Sequence, residues 1–69
     1  MQFTVETDRE DDGRWIAEVV DLPGVLAYGA SREEAVVRAQ ALALRVVADR
    51  LDHGEALPPA LGNVFTVTA

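Results

Sequence analysis

From Ser31 to Gly54 the chain reads SREEAVVRAQALALRVVADRLDHG, and neither glycine nor proline interrupts it between those two ends. In a chain of 69 residues this stretch leaves room for only one long helix. Ser31 suits the N-cap, Glu34 three positions on completes a capping box, and the helix is expected to run from Arg32 to about Asp52. Gly54 provides the stop, and Pro58 and Pro59 forbid a continuation. At about 100° per residue, Glu34, Arg38, Arg45 and Asp49 fall on one narrow polar stripe. Ala35, Ala39, Leu42 and Val46 form one apolar set, and Val36, Val37, Leu44, Val47, Ala48 and Leu51 another. Together they cover more than half the circumference, whereas a helix lying on one sheet needs a stripe of about 100° or somewhat more. The surplus, Val37, Leu44, Val47, Ala48 and Leu51, is therefore expected to lie in a subunit interface. Arg38, Gln40, Arg45, Asp49 and Arg50 break the apolar run, so it is not a membrane span.

Size points the same way. A single domain this short buries only roughly 60% of the surface its unfolded chain exposes, so its core is marginal. The sequence has no cysteine and one histidine, His53, which removes disulfides, thiolate metal sites and histidine-based zinc sites together. No cofactor is expected. Self-association as a dimer or tetramer is the remaining support. Met1 to Thr4 begins no signal peptide, and a cysteine-free chain suits the cytoplasm, which is the expected location.

The residues before the helix alternate as strands do. Gln2 to Thr7 sets Phe3 and Val5 against Gln2, Thr4 and Glu6. A polar run, Asp8 to Gly13, then ends in Asp-Gly, a hairpin dipeptide. Arg14 to Val20 is apolar on both faces and is expected to be the central strand. Leu22-Pro23-Gly24 makes a stiff reversal into a third strand, Val25 to Tyr28. After the helix, Asn63 to Ala69 alternates again and reads as a closing strand. The predicted order is β-β-β-α-β, an α+β fold with one helix layered on one sheet and residues 1–69 forming a single domain.

Net charge is −6 and unevenly spread. Residues 1–29 carry seven acids against Arg9 and Arg14, a balance of −5, and residues 30–69 carry five acids against four arginines, a balance of −1. An acidic front half repels phosphate backbones, so direct binding of nucleic acid is not expected, and a basic protein partner would be attracted.

The segment DGRWIAEVVDLPGVLAYGASREEAVVRAQ resembles HicB-family antitoxins and their stand-alone relatives. The likeness rests on Trp15, Ala17 and Glu18 in a strand, then Asp21-Leu22-Pro23-Gly24, Gly29, the cap Ser31 and Glu33-Glu34-Ala35 opening the helix. It is sharpest over residues 13–35. The resemblance implies a HicB-like, partially degraded RNase H-like fold that forms dimers or larger oligomers. It also implies an antitoxin of a type II toxin-antitoxin system, which masks a small basic HicA-type toxin that cleaves mRNA. Many members carry a C-terminal DNA-binding domain, and residues 1–69 are expected to hold only the N-terminal domain without it. An orphan HicB-like scaffold or regulator with no toxin is the alternative.

Nothing in the sequence assembles catalytic chemistry. Asp8, Glu10, Asp12 and Gly13 match the start of a calcium loop, but the bidentate glutamate is replaced by Val19 and no helix precedes it. Two-metal nuclease chemistry needs converging carboxylates, and only Glu18 sits mid-strand on the central strand. His53 belongs to the helix end, with no partner for nucleophilic catalysis. The chain is thus read as a binding protein and not an enzyme, with Glu10, Asp11, Asp12, Trp15 and Tyr28 as the expected partner-binding residues.

Overall fold

In the computed structural model, which describes residues 2–62 and 64–68, the helix begins and ends where its caps predict. Helix α1 spans Arg32–Asp52. The Ser31 hydroxyl oxygen accepts the Glu34 N–H at 3.1 Å, a cap of about 1 kcal/mol. The Glu34 carboxylate does not return to Ser31 as a capping box would. It accepts the Ala30 N–H at 3.1 Å and pairs with Arg38 at 3.2 Å, and Arg38 donates to the Tyr28 carbonyl at 3.1 Å. The first two turns of the helix are thereby tied to the chain end that precedes them.

Three strands, β1 (Val5–Arg9), β2 (Trp15–Val19) and β3 (Leu26–Gly29), form an antiparallel sheet in the order β1-β2-β3. The first hairpin closes through Glu10 N–H to Arg14 C=O at 2.7 Å and Gly13 N–H to Glu10 C=O at 2.9 Å. In the second, the Val25 N–H donates to the Leu22 carbonyl at 3.0 Å. Gly24, at φ 86°, occupies the one turn position that requires a positive φ, with Pro23 before it, the arrangement of a type II turn. This turn folds Leu22 back into complete burial, which contributes about 1.5–3 kcal/mol. The Asp21 carboxylate accepts the Thr4 N–H at 2.6 Å and fastens the approach to β1.

The helix lies chiefly over β2 and β3 and only grazes β1. Its sheet-facing line is Ala35, Ala39, Ala43 and Val47, which meets Ala17, Val19, Leu22, Val25 and Leu61 in the core. Three alanines let the helix sit close to the sheet. At the end of β3 the approach is closest, because a Cβ on Gly29 would lie 2.5 Å from the Ala35 nitrogen.

Three expectations need correction. Val47 is buried in this core and does not stand with the exposed residues Val37, Leu44, Ala48 and Leu51. Trp15, expected among the partner-binding residues, is half-buried and packs against the core on the helix side of the sheet, opposite Tyr28. No closing strand forms: Val64–Thr68 is neither helix nor strand and is exposed, while Asn63 and Ala69 lie outside the described residues. The order among the described residues is β-β-β-α. A strand needs a partner edge as well as alternation, and here Pro59–Leu61 forms a short 3₁₀ turn that plugs Leu61 into the core and leaves the tail in solvent.

Candidate functional site

With the helix on one side, the other face of the sheet is uncovered. The register arranges it in two rows, Glu6–Glu18–Leu26 and Asp8–Ile16–Tyr28, each crossing β1, β2 and β3 in turn. Both rows pass from a carboxylate on β1 to an apolar side chain on β3. An open depression of about 400 Å³ lies at the acidic end, lined by Glu6, Thr7, Asp8, Glu10, Ile16 and Glu18. Glu6 and Glu18 are directly opposed, and like charges in that relation oppose folding. A cation seated between them would relieve the repulsion.

The apolar end carries its own cation. The Arg14 guanidinium carbon stands 4.7 Å from the centre of the Tyr28 ring, close enough for a cation–π attraction. Arg14 also fixes the hairpin tip, its Nε donating to Asp12 at 2.8 Å and its backbone N–H to the same carboxylate at 3.0 Å. That backbone N–H, ahead of the guanidinium, holds the Asp12 carboxyl below the usual carboxylate range.

The expected partner-binding residues therefore separate. Glu10 lines the depression, Asp11 is exposed at the hairpin tip, and Tyr28 stands on the open face. Asp12 is engaged with Arg14, and Trp15 belongs to the opposite side. The residues missed from sequence are Glu6, Asp8, Ile16, Glu18 and Leu26. Their signal was the strand alternation itself, read across the two turns that set the register.

Among the described residues, no three His, Asp or Glu side chains converge so as to hold a metal ion. His53 is the C-cap of the helix, its N–H donating to the Asp49 carbonyl at 3.1 Å and its Nδ1 2.8 Å from the same oxygen. No described helix is long and apolar enough to cross a membrane. What the surface offers is charge at one end and apolar area at the other. No family model, curated protein or solved structure matches the chain.

Proposed function

We propose that this chain is a HicB-like antitoxin of a type II system, a non-enzymatic cytoplasmic protein that neutralises a small basic HicA-type toxin by covering the face with which the toxin grips RNA. The open sheet face carries the reading. Its acidic end complements a surface built to bind phosphates, and Ile16, Leu26 and Tyr28 supply apolar anchors. Opposite charge speeds encounter and selects the partner, while the buried anchors slow release. The resemblance over residues 13–35 supports the same conclusion from the sequence. A chain that masks a nucleic-acid-binding surface by presenting the negative charge of the nucleic acid does not itself bind nucleic acid.

Self-association is part of the proposal. Val37, Leu44 and Leu51 stand seven residues apart on one line of α1 and are 62%, 66% and 45% exposed, an apolar stripe that a second copy would cover. The same stripe favours the alternative, an orphan oligomeric scaffold, if no toxin gene adjoins this one.

Co-expression with the small basic reading frame beside it tests the function. The expected result is rescue of growth and capture of the toxin, with Tyr28→Ala weakening capture by roughly 30-fold, as truncating an interface anchor does. Tyr28 lies outside the core, so that variant keeps its fold. Absence of both rescue and capture with the unaltered chain would overturn the antitoxin reading.

A further inference from the structure

A groove of about 350 Å³ runs along the free side of β1, lined by Phe3, Val5, Val19, Gln40, Ala43 and Leu44. Gln40 is its one polar lining side chain. It lies where α1 leaves the sheet incompletely covered, beside a strand that among the described residues pairs only with β2. An unpaired strand edge beside an apolar groove is a template for an added strand. The β3 side is less open, because Arg38 occupies the Tyr28 carbonyl and the first turn of the helix closes over Gly29.

The chain carries a segment of matching chemistry. Val64–Thr68 reads VFTVT, uncharged and alternating, with Phe65 67% and Val67 93% exposed. Leu61 is held in the core, and the tail is not folded back onto its own sheet. The molecule is correspondingly drawn out, 52 × 21 × 16 Å with a radius of gyration of 13.9 Å, against about 11 Å for a compact chain of this length. The long axis outruns the roughly 31 Å that 21 helical residues span.

We infer that two copies exchange these tails: Val64–Thr68 of each pairs with the β1 edge of the other and seats Phe65 in the Phe3–Leu44 groove. This rests on the self-association reading and is independent of the toxin. It accounts together for the alternation of the tail, its exposure, the open edge and the uncharged groove, and it restores a fourth strand to each sheet, supplied by the partner.

The chain has no cysteine, so engineered thiols report unambiguously. Gln40→Cys and Val67→Cys chains are purified separately as full-length proteins, mixed and oxidised. A disulfide joining the two different chains is expected. Adding Phe65→Ala to the Val67→Cys chain should abolish it and, in the otherwise unaltered protein, raise the dimer dissociation constant roughly 30-fold or more. A double Gln40→Cys/Val67→Cys chain that closes its disulfide within one molecule would overturn the exchange. So would an oligomer that forms no cross-chain disulfide, leaving self-association by the helix stripe intact, whereas a monomer at all concentrations would remove both.

Discussion

Gly29 is the residue at which the two layers come closest, and it illustrates how a single missing carbon sets a fold. A methyl group there would stand 2.5 Å from the Ala35 nitrogen and 3.0 Å from the Glu34 carbonyl carbon. Both are backbone atoms of the first helical turn, held by the Ser31 cap and by the hydrogen bond from Ala30 to Glu34. They cannot swing aside as the end of a long side chain would. Gly29→Ala is therefore expected to destabilise the protein by about 2 kcal/mol or more. In a domain of this size that lowers the melting temperature by roughly 10 °C, measured by thermal unfolding. An unchanged melting temperature would mean that the helix does not rest on β3 as described. In the sequence, Gly29 was legible only as the place where the chain leaves the sheet. The close approach depends on where the helix lands, which no local pattern specifies.

At the scale of elements, α1 was read to its boundaries because its signals are local: a serine hydroxyl, a glycine and two prolines act on the backbone beside them. Its faces were read only in part. Ala35 and Ala39 were placed together, but Ala43 was assigned to neither apolar set and Val47 to the outer one, although both face the sheet. A helix apolar over most of its circumference gives periodicity little to choose between, and the sheet selects the side whose small residues permit close packing. The strands were each found one to three residues from their predicted ends, because a strand ends where its partner ends. The closing strand failed for the same reason in stronger form: its alternation is real, but beyond the Pro59–Leu61 turn the tail meets no edge of its own sheet. The assignment of faces is testable by enlarging two neighbouring positions. Ala39→Leu, fully buried, should cost about 1–3 kcal/mol through overpacking. Val37→Leu, on the exposed stripe, should stay within about 0.5 kcal/mol. Urea denaturation of the two variants measures both. Equal costs would show that the sheet-facing side has been misassigned.

At the scale of the whole molecule, folding and binding make opposite demands on the open face. Residues 1–29, with their balance of −5, form a sheet whose register sets Glu6 against Glu18, a pairing that weakens the hairpin and would strengthen attraction for a cationic partner. Glu18→Lys separates the two. It replaces a like-charge cross-strand pair by an opposite-charge one, worth roughly 0.2–1 kcal/mol to the fold, and should raise the melting temperature by a few degrees. The same change places a positive charge where the proposed basic partner would dock, so capture of that partner should weaken and its association rate lose much of its salt dependence. Glu55→Lys makes an equal change in net charge on the exposed segment beyond the helix and should leave both properties near their original values. A residue that served packing alone would move stability and binding downward together. Thermal unfolding and association kinetics at two salt concentrations distinguish the cases. A Glu18→Lys protein that melts higher and binds as well as before would show that the partner does not dock on this face.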